Sequence, residues 1–397
     1  MEQTHPPSRL HVLSTIGSFW RDIRFLQALA QAIFLLLVLI FARWLITNLL
    51  ENLEALGLSL SFSFLQRTAG FVLGQGLPME RTDTFWYAFI VGLLNTIRVV
   101  VLGLFLATIL GIFAGIALLS PNWLLRNIVQ VYVEIMRNTP LLVQLFFLYS
   151  GVILRLPPLQ DKLTWGPIVL SNRGLILPRP VPEQGFAIWI TLLIIGMVSG
   201  FFIYNKLLQR RIRYGTETRP SLWAAIPLVG LPLIGWIVLP TQPLSLEVPL
   251  LEGPRMVGGI RMTPEFAGIL FGLVIYTAAF IADIVRAGIL AVPKGQTEAA
   301  TAVGLTKGQI LRLVILPQAL RVIIPPLTNQ YLNLAKNSSL AIAVGFPDLY
   351  TASQTIFNQS GQAVQVIALM MTTYLIMSLL ISAIMNFINA RVRILER

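Results

Sequence analysis

The sequence predicts an all-α fold, a polytopic transmembrane helical bundle with about eight spans. Two observations carry that expectation. Hydrophobic residues make up 56% of the 397 and charged residues only 12%, about half the charged share of a water-soluble domain. The apolar residues also gather into runs of about 20, the length that crosses a bilayer with each backbone group satisfied inside its own helix. Bounded by loop residues, these runs fall near 29–48, 84–118, 127–154, 186–205, 222–240, 264–291, 313–334 and 363–390.

The first run follows a charged lead with Arg9, Arg21 and Arg24, and contains Arg43. It shows no clear small-residue cleavage pattern, so it reads as a retained span rather than a removed signal peptide. The loop after it carries Glu51, Glu54, Glu80 and Asp83 against Arg67 and Arg81, and belongs outside. Lys206, Arg210, Arg211, Arg213 and Arg219 crowd one connection, and Arg391, Arg393 and Arg397 end the chain. Cationic loops stay on the cytoplasmic side, so an even span count puts both termini there. Between Leu154 and Met262, Pro157, Pro158, Pro167, Pro178, Pro180 and Pro182 break up an external segment that leads into a span pair. The chain thus divides into 1–83 (cytoplasmic lead, first span and external loop), 84–154, an inserted block 155–261, and 262–397 with a cytoplasmic loop at 293–312.

Several function classes are excluded. The net charge of +12 fits cytoplasmic loops, without nucleic acid as a partner. There is no cysteine, hence no disulfide or thiolate metal site. His5 and His11 are the only histidines and lie too near the N-terminus for a buried metal ligand or general base. No phosphate-cradling GxxxxGK[ST] loop occurs, so any ATP hydrolysis belongs to a partner. No paired catalytic carboxylates or nucleophile motif supports an embedded enzyme, leaving no catalytic residues and no cofactor in this chain.

Gln296 to Pro317, QTEAATAVGLTKGQILRLVILP, is a charged helix-turn-helix pattern set between long apolar runs. Glu298, Ala299, Ala300, Ala302 and Val303 favour helix, and Gly304 stands where a left-handed C-terminal residue is wanted. Thr306 with Gln309 matches a capping box for a second short helix, and Pro317 then kinks or interrupts the chain as it enters the membrane. Physics alone leaves two readings open: an amphipathic loop on the bilayer surface, or a docking element.

Polar side chains at membrane depth are costly and are either paired or functional. Asp283 has Arg286 three residues away, as Glu134 has Arg137, and each couple is spaced to pair along one helix face. Arg137, Asn138, Thr139 and Pro140 form a stretch in which Pro140 frees a backbone carbonyl. Gln144 follows it. Lys336, Asn337, Ser338 and Ser339 form a polar cluster that needs a partner or a path. Asn95, Thr96, Asn329, Gln330 and Tyr331 suit helix-to-helix glue as well as a path.

The spacing Glu298, Ala299, Ala300, Gly304, Val314, Leu316, Pro317 resembles the EAA motif of permease subunits in binding-protein-dependent ABC importers, with Val314 where Ile is common. TAAFIADIVRAGILAVPKGQTEAA, ILPQALRVIIPPLTNQYLNLAKNSSLA and VYVEIMRNTPLLVQLFFLYSG are similar to the polar amino-acid branch over about 84–154 and 262–393. The resemblance implies a five-helix type I importer core. The first span and the 155–261 block resemble the longer subunit of general amino-acid permease pairs. It further implies that Glu298 to Leu305, with Ala299, Ala300 and Gly304, is a coupling helix received by an ATPase. Two ATP-binding cassette subunits would hold ATP and Mg, a second, different permease would complete the path, and an external binding protein would deliver an amino acid to a prokaryotic inner membrane. Asp283 would lie near the substrate, as Asp where Glu is frequent; polar chemistry at membrane depth, apart from the resemblance, adds Arg137, Asn138, Thr139, Gln144, Lys336, Asn337 and Ser338 as path candidates. A secondary carrier using Asp283 and Arg286 as a relay is the rival reading; it accounts for the buried charges but not for the loop.

Overall fold

A computed structural model describes residues 23–55, 61–216, 218–253 and 255–392. His5, His11, Arg9, Arg21, Arg393 and Arg397 lie outside these residues. In chain order the helices are α1 (Ile23–Ala55), α2 (Phe85–Ala117), α3 (Trp123–Asn138), α4 (Leu141–Phe146), α5 (Phe186–Tyr214), α6 (Pro220–Val238), α7 (Pro264–Leu290), α8 (Lys294–Ala302), α9 (Lys307–Ile310), α10 (Leu316–Asn337), α11 (Leu349–Ser360) and α12 (Ala363–Val392). Among the described residues seven helical segments are long and apolar enough to cross a membrane: α1, α2, α5, α6, α7, α12 and the stretch Lys307–Val344.

The expected continuous span 127–154 is the exception. It breaks into amphipathic α3 and a shorter apolar stretch, Leu141–Arg155. Pro140 has no N–H for the helical ladder and forces the residue before it out of helix, and Thr139 is extended at φ −110, ψ 134. The carbonyl this orphans is that of Met136. Gln144 Nε2 takes its place as donor, reaching the Met136 carbonyl at 2.8 Å and the Thr139 carbonyl at 2.9 Å.

Helix α7 is the core of the bundle, the most buried of the spans, with α2, α3, α4 and α10 packed on it. Its approach to α2 is close enough to require glycine. A Cβ on Gly111 would sit 2.6 Å from Ile281, and one on Gly115 would sit 2.7 Å from the Ala282 carbonyl. Small residues let backbones meet where lipid offers no hydrophobic push between helices. Leu145, Ile269, Leu270, Leu273 and Phe346 fill one fully buried cluster at this junction. By contrast no described residue of α1 is buried.

Helices α5 and α6 form a separate hairpin. Gly196 and Gly200 of α5 lie under the Pro227 and Ala224 carbonyls of α6, which a Cβ would meet at 2.5 and 2.9 Å. This is the small-xxx-small arrangement. The prolines of the 155–261 block sit among short strands that the all-α expectation did not contain: β1 (Leu163–Trp165), β2 (Ile168–Ser171), β3 (Gly174–Leu177), β4 (Arg179–Pro182), β5 (Leu244–Glu247), β6 (Leu250–Glu252), β7 (Arg255–Val257) and β8 (Ile260–Met262). One sheet runs β1-β2-β3-β8, and β4–β5 and β6–β7 are antiparallel pairs. The pairing of β3 with β8 sets Leu175 against Met262, and that of β4 with β5 sets Arg179 against Glu247, with an ion pair at 2.9 Å. These ladders gather the start of α5, the end of α6 and the start of α7 on one side. The α5–α6 connection and the α7–α8 connection therefore share the opposite side.

Candidate functional site

The loop after α7 is built by local chemistry. Helix α8 ends in a Schellman turn: the Leu305 N–H donates to the Ala300 carbonyl at 3.2 Å and the Gly304 N–H to the Thr301 carbonyl at 2.9 Å. That turn needs a left-handed residue, and Gly304 has φ +81. Next, the Thr306 N–H and hydroxyl donate to Gln309 Oε1 at 2.8 and 2.9 Å, the reach-back half of the predicted capping box. The chain then widens into a π-turn over Leu311–Ile315 before Pro317 enters the first turn of α10. Gln318 Nε2 donates to the Val314 carbonyl at 3.0 Å and to Gln296 Oε1 at 3.4 Å, tying α8 to the root of α10. Ala300 and Ile310 are buried, Leu305 is half-buried, and Glu298, Ala299 and Gly304 are exposed. The result is a short helix with both ends fixed and one face unoccupied.

A second feature is a cavity of about 170 Å3 between α3 and α7, lined by Arg126, Gln130, Glu134, Arg137, Asp283 and Arg286 with Leu118 and Val133. Asp283 carries two cations. Arg286 Nη2 donates to its Oδ1 at 3.0 Å, the predicted pairing along one helix. Arg137 Nη1 donates to its Oδ2 from α3, with the guanidinium 5.6 Å from the centre of the Phe280 ring. The expected Glu134–Arg137 couple is therefore replaced. Arg137 reaches a better-buried carboxylate with an aromatic face beside it, and Glu134 instead accepts from Gln130 Nε2 at 2.9 Å. The bridge ties α3 to α7.

The other candidates are dispersed. Asn138 is exposed and Thr139 half-buried beside the Pro140 break, and Gln144 is committed to backbone carbonyls. Lys336 is exposed and Asn337 half-buried at the end of α10, while the buried Ser338 hydroxyl donates to the Ala335 carbonyl at 2.8 Å. None of these three lines the charged cavity. Among the described residues no group of three or more His, Asp or Glu is placed to hold a metal.

Two parts of the polar architecture escaped sequence reading. Arg126 and Gln130 line the cavity, and their signal was the stripe Arg126, Gln130, Glu134, Arg137 at spacings of four, four and three. Asp348, in the turn before α11, is 1% exposed. It caps α11 by accepting from the Thr351 N–H at 2.9 Å, and it accepts from the Tyr374 hydroxyl at 3.3 Å. Burial pushes its carboxyl up to about 6 against the lowering effect of those hydrogen bonds. The N-cap position was its sequence signal. Asn95 and Thr96 hold the same turn: Asn95 Nδ2 donates to the Pro347 carbonyl at 2.9 Å, and the Thr96 hydroxyl accepts from the Leu349 N–H at 2.8 Å.

A helical membrane subunit that lacks a nucleotide loop and presents an end-fixed helix on one surface is of the transport-component class. Residues 192–394 match the family described as binding-protein-dependent transport system inner membrane component. The putative amino-acid ABC transporter permease YhdX of Escherichia coli is 47% identical, over 89% of this chain and 91% of its own. The general L-amino acid transport system permease AapQ of Rhizobium johnstonii is 42% identical, over 95% and 94%. The glutamate/glutamine/aspartate/asparagine transport system permease BztB of Rhodobacter capsulatus is 41% identical, over 95% and 96%. The chain belongs to this family of ABC importer permeases, with ATPase activity on separate subunits. Matches this long run through the 155–261 block, so these relatives share it.

Proposed function

We propose that the chain is the longer permease subunit of an amino-acid importer, with α8 as its coupling helix. Both termini and the α7–α8 loop face the cytoplasm. Two ATP-binding cassette subunits receive coupling helices there, a second and different permease completes the path, and an extracytoplasmic binding protein delivers the amino acid. The observation that carries this reading is α8 itself: exposed on one face, closed by Gly304, and rooted on α10 through Gln318. Closure of the two ATPases draws the seated helices together, and a rigid root passes that motion to α7 and α10, shifting the bundle between inward-open and outward-open states. The Asp283 carboxylate between Arg137 and Arg286 offers opposite charges to an amino acid's ammonium and carboxylate groups.

Co-purification from the native operonic set, followed by uptake in proteoliposomes, tests the reading. ATPase subunits should travel with the protein, and uptake of amino acids should require ATP, the binding protein and the second permease. ATP-independent uptake by this chain alone would overturn it.

A further inference from the structure

The α5–α6 hairpin takes no part in α8 or the charged cavity, yet it carries a groove of its own. Ile203, Lys206, Leu207 and Arg210 of α5 face Trp223, Ile226 and Pro227 of α6 around an open cleft of about 550 Å3. Among the described residues that line it the walls are apolar and the charges are two cations, four residues apart on one face of α5. Neither α5 nor α6 contains an acidic residue, and among the described residues Lys206 and Arg210 form no ion pair. Depth matters as well. From Phe186 to Lys206 a helix rises about 30 Å, the thickness of the hydrocarbon layer, so the two cations sit at headgroup level. Phe202, Trp223 and Ile226 around them are exposed, which suits contact with lipid, and the indole suits the interface.

A cation couple over an apolar wall at that depth, with no carboxylate partner among the described residues, suits an anion that carries an apolar body. We propose that this groove binds one anionic phospholipid, its phosphate between Lys206 and Arg210 and an acyl chain along Leu207, Ile226 and Pro227. The groove lies on the same side as α8, so with α8 in the cytoplasm the lipid belongs to the cytoplasmic leaflet. Binding itself does not depend on that orientation. The inserted hairpin thereby anchors the periphery of the subunit to the charged leaflet beside the coupling loop.

Native mass spectrometry of the assembled transporter in mild detergent tests this, titrating phosphatidylglycerol, phosphatidylcholine and inorganic phosphate separately. Phosphatidylglycerol should be retained in preference to phosphatidylcholine, and inorganic phosphate should not compete. Lys206→Gln and Arg210→Gln should each lower phosphatidylglycerol affinity about fivefold. Arg211→Gln removes the same charge about 100° around the helix and should leave affinity unchanged; Arg210→Lys should largely preserve it. Equal retention of both lipids, equal loss in Arg211→Gln, or displacement by phosphate would each overturn the proposal. Failure of ATP-dependent uptake would bear on the importer reading instead, leaving lipid retention intact.

Discussion

If Asp283 joins α3 to α7, a double-mutant cycle on Asp283→Asn and Arg137→Gln should show strong coupling. The Asp283 side chain is 28% exposed and that of Arg137 is 43% exposed, between two limits. Exposed pairs contribute about 0.2–1 kcal/mol, whereas stripping one partner from a fully buried pair costs about 3–5 kcal/mol. A coupling of about 1.5 kcal/mol, roughly tenfold in an equilibrium, lies between them. The two single variants should also differ. In Arg137→Gln the carboxylate keeps Arg286, but in Asp283→Asn two guanidinium groups face each other with no anion between them. Asp283→Asn should therefore cost more. Denaturant titration of the assembled transporter in lipid discs, at low and high salt, measures all four corners. Additive single effects, or a larger loss for Arg137→Gln, would refute the bridge.

Two further perturbations test the surroundings. Gln144→Leu leaves the carbonyls of Met136 and Thr139 without their donor, at about 1 kcal/mol each; hydrogen exchange should rise at residues 138–146 and not in α7. Asp348 has its folded pKa raised to about 6 from 3.8, so its contribution to stability is fully present below about pH 4 and lost as pH rises through 6. Asp348→Asn keeps a good N-cap and removes the buried charge, so at pH 8 it should stabilise the fold by on the order of 2–3 kcal/mol. Melting curves from pH 5 to 8 should accordingly flatten in the variant. An unchanged pH profile would show that Asp348 is not the titrating group.

What was legible in the sequence was mainly local. Gly304 and the Thr306–Gln309 box follow from backbone needs within one turn, and both appear where spacing puts them. Pro140 showed in sequence as freeing a carbonyl within an expected continuous span; the break at Thr139 and the carbonyl-capping Gln144 need three dimensions to recognise. Arg137 and Asp283 stand 146 residues apart, and nothing in either neighbourhood distinguishes that partner from the nearer Glu134. The strands β1 to β8 run only three or four residues each, too short for a periodic signal and interrupted by proline. Gly196 and Gly200 stand four apart in the sequence, but the Pro227 and Ala224 carbonyls they admit lie on another helix, which local spacing does not name.

The central claim is that α8 carries a partner's ATP cycle into this subunit, and Gly304→Val tests it most directly. A Cβ at Gly304 meets nothing within 4 Å, so the variant should fold and assemble. Its φ of +81 is a conformation that costs a non-glycine residue about 1–2 kcal/mol and suits a β-branched one least, so the end of α8 should unwind. Transport and ATP hydrolysis measured together in proteoliposomes should show uptake falling about tenfold or more while hydrolysis continues. Wild-type uptake per ATP hydrolysed in this variant would contradict the account.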